Sequence, residues 1–584
     1  MAPGSQNTLS NPMFEKARNV SFALRRKLNG CFLSHLFEIR AHTRPDFPVL
    51  TFENPSGPDM VQTFQDLHEN SHRFAQALVD AGIQKGDTYA AIMYNYPEMV
   101  HLIGAASILG AVIVPIDPRT KGDKLAHQIC NSKSKAVFIT ADLLENMEAI
   151  KHKIPGVQRI FTVEKPGNPT TGDVSKLSSI QEILEAPFRP VDYRVSDLNH
   201  PLQIIYTSGT TGNPKGVVFE NLRMPVVGYL FSRYWDYRKG DILYTGLSLT
   251  HGNALGCTLT PAVYRCIRAV FSAKFTKSRL WDITRKHGVT SFSMLGGVAA
   301  GIYNEPPKPN DADNPVRQVV SAGMPRAIWA DFEKRFDVKI LEWYSTLEGG
   351  GFARKPPGKG PIGSFGKPVW LFKMRVVDEN DKPCSPGVPG EVIASLRSGS
   401  TVVNYFDNPE ASKKKTRGGW NRTGDIAHVD ENGWFFFDYR VGGGLRRTGD
   451  FIQPDTVEKV IGDHPDVSEV SVFGIAAASG APGESDLVAG IVLFPGKEPD
   501  SASILECCRE GMEANSVPSY LLFLEEIPKT ISEKPQERFL RAAFEDHPEC
   551  IYKLEDCQKN EASSYRPRVL RVPGFGQSHY EPDQ

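Results

Sequence analysis

The sequence predicts a multidomain α/β protein, and three observations lead to that prediction. The chain has 584 residues, more than one hydrophobic core usually serves, so at least two domains are expected. Its first half alternates helical and strand patterns, which is typical of a parallel sheet with helices on both faces. Glycine, proline and short apolar runs dominate from about residue 360 to 410. That change predicts an antiparallel, β-rich subdomain.

One helix illustrates the alternating pattern of the first half. Leu67, Phe74 and Leu78 share a helical face within residues 64–82, and Gly82 is placed to end the helix. An apolar strand pattern follows at once. Helices and strands of these lengths, repeated along the chain, favour a doubly wound sheet.

The second half contains a boundary and a smaller domain. The glycine cluster at 441–444 resembles a hinge, and residues 450–545 have the mixed pattern of a small α+β unit. The tail from about 550 is polar and predicts little ordered structure. The longest apolar run, at 101–117, is too short and glycine-rich for a bilayer span, so it predicts a buried helix and strand.

Composition excludes several classes of protein. The chain is 40% hydrophobic and 23% charged, with a net charge of −1, which argues against nucleic acid as the main partner. Nine cysteines are scattered without C-x-x-C spacing, so free thiols in a reducing compartment are expected rather than disulfides or zinc. The first residues lack the apolar core of a signal peptide. We therefore expect a cytoplasmic protein without a transmembrane segment.

A glycine- and hydroxyl-rich loop follows an apolar strand and ends on one lysine. Its glycines let backbone N–H groups face an anion, while the hydroxyls and the lysine add donors and charge. The predicted phosphate-binding residues are Thr207, Ser208, Gly209, Thr210, Thr211, Gly212 and Lys215. A Walker A loop does not fit, because Pro214 stands at its second glycine position, five residues after Gly209, and Gly216 rather than Ser or Thr follows Lys215. A flexible surface turn is the plain alternative.

The loop S-G-T-T-G-x-P-K-G resembles the signature of the adenylate-forming superfamily, which includes acyl-CoA synthetases, firefly luciferases and peptide synthetase adenylation domains. Further motifs of that superfamily follow in order. The segments "YSTLEGGG" and "SEKP" most resemble the corresponding motifs of the carnitine-CoA ligase and fatty-acid-transport-protein-like branch.

The segment "EWYSTLEGG" resembles the Y-G-x-T-E motif of this superfamily. The match implies that Tyr344 stacks on adenine and that Glu348 holds Mg²⁺ bridging the ATP phosphates, with Thr207 as a second metal ligand. Leu347 departs from the motif, since the family usually has threonine there. Thr346 is one position too early to replace it.

The segment "WNRTGD" and the arginine after it resemble the ribose-binding motif. The match implies that Asp425 accepts hydrogen bonds from both ribose hydroxyls, as the two oxygens of a carboxylate allow. It implies that Arg440 bonds ribose or phosphate. Gly443 falls at the hinge position, where the family usually has Asp or Lys.

Three further residues are assigned by the same resemblance. The segment "PKTISEKPQERFLR" resembles the C-terminal signature, which makes Lys534 the lysine that bridges the carboxylate and the α-phosphate. His251 would border the acyl pocket, where an ordinary structural histidine is the alternative. Gly323 would lie beside adenine and the acyl group.

The resemblance implies a fold and a reaction. The fold is a large N-terminal domain of two doubly wound α/β subdomains plus a β-barrel-like subdomain, followed by a small mobile α+β domain. The expected parts are an extension (1–34), the large domain (35–440), the hinge (441–444), the small domain (445–548) and a polar tail (549–584). ATP, Mg²⁺ and coenzyme A would convert a medium to long or bulky carboxylic acid to an acyl-adenylate and then to its CoA thioester.

Three other functions are compatible with parts of this sequence. An adenylate-forming enzyme with another acceptor, a carrier protein or oxidative chemistry, would retain every motif. A homologue that has lost catalysis and binds nucleotide or lipid is a second alternative, because Leu347, Gly443 and Glu533 depart from the family pattern. A P-loop phosphotransferase is the third, with the spacing against it. We expect a monomer or homodimer, and the motifs are compatible with peripheral membrane contact.

Overall fold

A computed structural model describes residues 32–165, 170–171, 177–207, 214–399, 401, 403–440, 445–481, 483–528, 535, 537–555 and 567–570. These residues form two compact units. The first contains residues 32–118, 123–207 and 214–439, and the second contains 119–122 and the chain from Arg440 onward.

A seven-stranded sheet occupies the N-terminal part of the first unit. Its five central strands run parallel, and the edge strand at the end of the glycine loop is antiparallel. In spatial order the strands are Ser178–Ser179, Arg159–Val163, Ser134–Thr140, Thr88–Ile92, Val112–Ile116, Pro201–Thr207 and Lys215–Glu220. Thr88–Ile92 and Val112–Ile116 are buried along their whole length, as expected of parallel strands covered on both faces.

Helices cover both faces of this sheet. On one face lie Leu33–Thr43, Phe64–Asp80 and Pro97–Leu109, and on the other lie Gly122–Asn131 and Leu144–Glu148. The helix Ile180–Glu185 follows the edge strand. Thr63 starts the second helix with a capping box, in which its hydroxyl accepts from the Asp66 N–H and the Asp66 carboxylate accepts from the Thr63 N–H. The predicted helix over 64–82 therefore exists, and Gly82 follows its last turn with φ of +80°.

A nine-stranded sheet forms the second layer of the first unit. Six neighbouring strands are parallel, and the strands at both edges are antiparallel. In spatial order they are Lys367–Pro368, Phe352–Lys355, Lys339–Ser345, Gln318–Ala322, Ser291–Leu295, Ile242–Thr245, Arg268–Ser272, Pro48–Glu53 and Met60–Thr63. One face packs on the helices Leu280–His287, Gly296–Tyr303 and Trp329–Phe336. The other face shares the largest core with the seven-stranded sheet.

Two helices on the shared side contain π-helical turns. The first is continuous through Arg223–Pro225, the π-helical Val226–Phe231 and Ser232–Tyr234. The second runs through the π-helical Ala254–Leu259 into Thr260–Arg265. They cross at Gly228, where a Cβ would come within 2.7 Å of the Thr260 carbonyl oxygen. The absence of a side chain there allows the close crossing.

The predicted β-rich segment is an antiparallel five-stranded sheet. Its strands are Phe372–Val377, Gly390–Leu396, Trp420–Val429, Thr416–Arg417 and Phe435–Arg440, with the helix Pro409–Lys415 between two of them. The strand Phe372–Val377 alternates buried and exposed residues over its first four positions, so one side of the sheet faces solvent there.

The second unit is a small α+β structure. Its four-stranded sheet has the order Val467–Ala476, Ser485–Leu493, Tyr520–Phe523 and Ile551–Lys553, and a two-stranded ribbon joins Leu445–Arg447 with Asp450–Ile452. Pro454–Gly462 and Ser501–Gly511 pack on one core, and Glu537–Asp546 packs on another. The α/β multidomain class with a small α+β unit is thereby confirmed.

Single helical turns complete the described chain. They are Ala141–Leu143, Lys151–Lys153, Lys277–Arg279, Arg326–Ile328, Ala514–Ser516 and Pro548–Cys550.

Candidate functional site

The ends of the glycine loop are fixed by two paired strands. Thr207 is the last residue of one strand, and Lys215 is the first residue of the next and its cross-strand partner. The Thr207 hydroxyl donates to the Lys215 carbonyl oxygen at 3.4 Å. The loop residues predicted to bind phosphate, Ser208, Gly209, Thr210, Thr211 and Gly212, lie outside the described residues.

A tyrosine links the lysine of this loop to the predicted metal ligand. The Lys215 ammonium lies 5.8 Å from the centre of the Tyr405 ring, within range of a cation–π interaction. The Tyr405 hydroxyl donates to the Glu348 carboxylate at 2.9 Å. Glu348 is only 6% exposed, so its charge lies in a largely dry setting. Two residues predicted from separate motifs thus lie around one tyrosine.

The departure at Leu347 has a packing explanation. Leu347 is half-buried and packs against the buried cluster of Val217, Val403 and Tyr405. A Cβ on Gly252 would lie 2.9 Å from the Leu347 side chain, which shows how closely the two segments approach. Leu347 therefore fills an apolar space.

Thr346, the neighbouring hydroxyl, is used inside its own turn. Its Oγ1 accepts the Gly350 N–H at 2.9 Å. Its carbonyl oxygen accepts the Gly349 N–H at 2.9 Å. Thr346 thus stabilises the glycine turn after Glu348.

The predicted adenine and ribose ligands form a direct pair. The Tyr344 hydroxyl donates to the Asp425 carboxylate at 2.6 Å. The Tyr344 ring stacks on Phe365, with ring centres 4.6 Å apart. Asp425 is 4% exposed, and its N–H donates to the Thr423 hydroxyl at 3.0 Å. An aromatic face and a buried carboxylate at its edge suit a nucleoside, which offers a flat base and two ribose hydroxyls.

Gly323 is held by a carboxyl that sequence reasoning missed. Glu342 accepts hydrogen bonds from the N–H groups of Gly323 and Met324, the latter at 3.3 Å. Burial raises the pKa of Glu342 to about 8, although the hydrogen bonds act in the opposite direction. Gly323 has φ of +87°, a conformation that favours glycine. A glutamate within an otherwise apolar strand was the available signal.

His251 forms a hydrogen bond with an aspartate that sequence reasoning also missed. His251 Nε2 lies 2.9 Å from Asp117 Oδ2, and the His251 side chain is 43% exposed while that of Asp117 is 12% exposed. Asp117 directly follows the buried strand Val112–Ile116. This contact orients the imidazole ring.

One amide contacts the segment before His251, and another follows it by two residues. Asn95, 1% exposed, accepts the Leu249 N–H at 2.8 Å and donates to the Leu247 carbonyl oxygen at 2.9 Å. Both amide atoms of Asn253 are buried without a hydrogen-bond partner among the described residues. Buried amides usually have partners, so Asn253 is a candidate contact for a polar group of a bound molecule.

The remaining predicted residues concern the second unit. Arg440 ends the strand Phe435–Arg440, but its side chain is outside what the structure describes. Gly443 and Lys534 also lie outside the described residues. Their assigned roles stay predictions.

The fold and these contacts define a class of protein. A lysine-ended glycine loop, a buried glutamate nearby and an aromatic–carboxylate pair indicate a nucleotide-using enzyme on a two-sheet α/β scaffold. In the described residues, no group of three or more His, Cys, Asp or Glu side chains is arranged to hold a metal by itself.

Comparison with known protein families agrees with a nucleotide-using enzyme. The family described as AMP-binding enzyme matches residues 37–402, and the AMP-binding enzyme C-terminal domain matches residues 456–534. The chain belongs to the family of AMP-binding enzymes. The predicted adenylate-forming superfamily is confirmed, and so is the predicted class of enzyme, an AMP-forming acid–thiol ligase.

Two relatives show how far the sequence similarity extends. Crotonobetaine/carnitine–CoA ligase of Salmonella typhimurium is 26% identical over 514 residues, covering 87% of this chain and 98% of the relative. Long-chain fatty acid transport protein 6 of Mus musculus is 26% identical over 536 residues, covering 86% of this chain and 84% of the relative.

Solved structures share the fold over most of the chain. The o-succinylbenzoate CoA synthetase of Bacillus subtilis matches with a TM-score of 0.72 and 22% identity, covering 87% of this chain and 97% of that one. The amide bond synthetase of Marinactinospora thermotolerans matches with a TM-score of 0.68 and 21% identity, covering 83% of this chain and 95% of that one.

Among the described residues, none of the helices combines the length and apolar character needed to cross a bilayer.

Proposed function

We propose that this protein is an ATP-dependent acyl-CoA ligase that activates a carboxylic acid as its acyl-adenylate and then transfers the acyl group to coenzyme A. The observation that supports this most is the Tyr344–Asp425 pair at 2.6 Å, in a member of the AMP-binding enzymes. The pair offers a stacking face and a charged acceptor for adenosine. The acid–CoA ligases among its relatives support the choice of acceptor.

In the first half-reaction, a carboxylate oxygen attacks the α-phosphorus of ATP and pyrophosphate leaves. Both reactants are anions, so positive charge placed between them lowers the barrier. Lys215 and the glycine loop would hold the phosphates, and Lys534 would bridge the carboxylate and the α-phosphate. No side-chain nucleophile is needed.

The residues around Glu348 suit Mg²⁺ that arrives with the nucleotide. Mg²⁺ is usually held by one or two carboxylates together with substrate phosphates and water. A single buried carboxylate, oriented by the Tyr405 hydroxyl, matches that pattern. Glu348 and Thr207 would be the protein ligands, and the ion would offset phosphate charge.

In the second half-reaction, the thiol sulfur attacks the acyl carbon, the carbon–oxygen bond to AMP breaks, and the thiol proton leaves. The family resemblance implies that rotation about the hinge near Gly443 removes Lys534 and admits the thiol. His251, oriented by Asp117, and Asn253 would border the acyl group. We propose a medium to long or bulky acid as substrate.

The reaction would take place in the cytoplasm, where ATP and coenzyme A are available. The seven described cysteines are free thiols, which is compatible with a reducing compartment.

Acid-dependent exchange of labelled pyrophosphate into ATP tests the proposal across a panel of acids, with and without coenzyme A. The panel runs from acetate through fatty acids to aromatic, carnitine-like and steroid acids. We expect exchange with one class and AMP release that requires coenzyme A. Exchange without any CoA-dependent product would indicate another acceptor, and no exchange by folded protein would favour a homologue without catalysis.

A further inference from the structure

A run of cations without carboxylates crosses the edge of the nine-stranded sheet. Residues 349–377 contain six lysines and arginines and no aspartate or glutamate. Lys359, Lys367, Lys373 and Arg375 in this run are exposed. In a chain of net charge −1, such a stretch concentrates positive charge on one part of the surface.

The fold brings part of this run to one side of the sheet edge. Lys367–Pro368 is the edge strand, and Lys367 is the cross-strand partner of Arg354. Directly paired residues of an antiparallel ladder project to the same face. The two cations therefore share a face.

Each of these cations lies over an aromatic ring. The Lys367 ammonium lies 4.7 Å from the centre of the Trp434 ring, and the Arg354 guanidinium lies 5.4 Å from that of Tyr234. Trp370 lies three residues after Lys367 in the chain. Trp370 is 62% exposed, a large value for a tryptophan.

The preceding loop extends the same surface. A Cβ on Gly360 would lie 2.6 Å from the Trp434 ring, so the loop that carries Lys359 packs on that ring. Ile362 in this loop is 40% exposed. We name the surface of Arg354, Lys359, Ile362, Lys367, Trp370 and Trp434 the basic aromatic edge.

Carboxylates also lie near this surface: Asp236 acts on the charge of Arg354, and Asp430 and Glu431 stand in the hairpin before Trp434. The Asp430 carboxylate accepts hydrogen bonds within its own hairpin, from the N–H groups of Asn432 at 3.0 Å and Trp434 at 2.8 Å. Glu431 is exposed in the same turn. Lysines on an edge strand also prevent edge-to-edge pairing of sheets, but that role does not explain an exposed tryptophan and isoleucine beside them.

We propose that the basic aromatic edge docks this protein on the surface of an anionic phospholipid bilayer. Tryptophan has an apolar body and a polar N–H, so it is suited to the headgroup boundary, where Trp370 and Ile362 would insert. The lysines would meet lipid phosphates as point charges on flexible stems. A nucleic acid or an acidic protein would also use this charge, so DNA and polyglutamate are probes in the tests below.

Vesicle sedimentation with the full chain tests the proposal. The probes are vesicles of phosphatidylglycerol with phosphatidylcholine, and vesicles of phosphatidylcholine alone. We expect binding to the anionic vesicles at low salt, weaker binding at high salt, and much weaker binding to the neutral ones. Failure to bind the anionic vesicles at low salt would overturn the proposal.

Matched variants locate the contact. Lys359→Ala with Lys367→Ala should weaken binding about 30-fold, since each lysine near such a surface contributes about fivefold. Lys413→Ala with Lys414→Ala, on the exposed side of the helix Pro409–Lys415, removes the same charge and should leave binding unchanged. Equal losses in the two double variants would contradict the assignment.

Insertion of Trp370 is tested by fluorescence. Lipids brominated near the headgroup should quench tryptophan emission of the wild type on anionic vesicles, and Trp370→Phe should lose most of that quenching. Absence of quenching in the wild type, or binding to polyglutamate or DNA as strong as to vesicles, would overturn a lipid surface as the partner. None of these measurements depends on catalysis.

Discussion

The Asp425 carboxylate is the residue on which nucleotide binding most depends in this account. It is 4% exposed and accepts the Tyr344 hydroxyl at 2.6 Å. A buried carboxylate retains its charge at a lower energetic cost when it accepts hydrogen bonds. Tyr344 provides one donor, and the two ribose hydroxyls of ATP would provide others. Asp425 therefore links ring stacking to ribose recognition.

The variant Asp425→Ala should raise the KM for ATP about 10- to 100-fold, because one charge-assisted hydrogen bond contributes roughly 1.5–3 kcal/mol. Steady-state kinetics at saturating acid measures the change. Tyr344→Phe is the matched control, since it removes one donor and retains the ring that stacks on Phe365. The KM for ATP should rise less in Tyr344→Phe than in Asp425→Ala. An unchanged KM for ATP in folded Asp425→Ala would contradict ribose binding.

Glu342 predicts a specific pH dependence of stability. Its pKa is raised from 4.5 to about 8 by burial, so the folded chain retains a proton that the unfolded chain releases. The free energy of unfolding should therefore fall as the pH rises from about 4.5 to about 8, by at most about 1.4 kcal/mol per pH unit.

Urea unfolding across that pH range measures this dependence. Glu342→Gln is the matched variant, because a neutral amide still accepts the N–H groups of Gly323 and Met324. The difference between the two proteins removes contributions of His72 and His101, whose pKa values are lowered to about 4 by burial. Parallel pH profiles of the two proteins would show that Glu342 is ionised in the folded state.

At the scale of elements, the crossing of the two π-helical segments depends on the absence of a side chain. A Cβ on Gly228 would lie 2.7 Å from the Thr260 carbonyl oxygen and 2.6 Å from the Tyr264 ring. Neither atom is the end of a flexible chain. The helices would have to separate to admit a methyl group.

The variant Gly228→Ala should lower the free energy of unfolding by about 1–3 kcal/mol through overpacking. Gly256→Ala is the control, because its Cβ would lie 3.4 Å from the nearest atom, Val227 Cγ1, an ordinary contact. Thermal unfolding of both variants measures the difference. Equal stability of the two would mean that the crossing adjusts without strain.

Local patterns allowed prediction of some elements and not of others. The helix Phe64–Asp80 and the buried strand Val112–Ile116 follow from periodicity and apolar runs within single segments. A π-helical turn such as Val226–Phe231 has no distinct hydrophobic period, so sequence reasoning missed it. Tyr405 and Asp117 act through partners 57 and 134 residues away. Such pairings depend on how the sheets come together.

At the scale of the whole molecule, the two units divide the reaction between them in this account. The first unit contains the described residues proposed to contact adenosine, phosphate and metal, and the match to the C-terminal family domain, which ends at Lys534, falls in the second. A lysine brought to the site for one step and removed for the next would affect the two half-reactions differently.

The variant Lys534→Ala should lose acid-dependent adenylation and still convert a supplied acyl-adenylate to its CoA thioester. Its charge is needed only while two anions approach each other. Separate assays of pyrophosphate release and of thioester formation measure the two steps. Loss of both steps to the same degree would remove Lys534 from this role.

The most direct test of adenylation follows the oxygen atoms of the acid. With a substrate acid labelled with ¹⁸O in both carboxylate oxygens, attack on the α-phosphorus moves one labelled oxygen into AMP, because thiol attack breaks the acyl carbon–oxygen bond. Mass spectrometry of the released AMP should therefore show one ¹⁸O for each turnover. Unlabelled AMP, or label in inorganic phosphate, would contradict an acyl-adenylate intermediate.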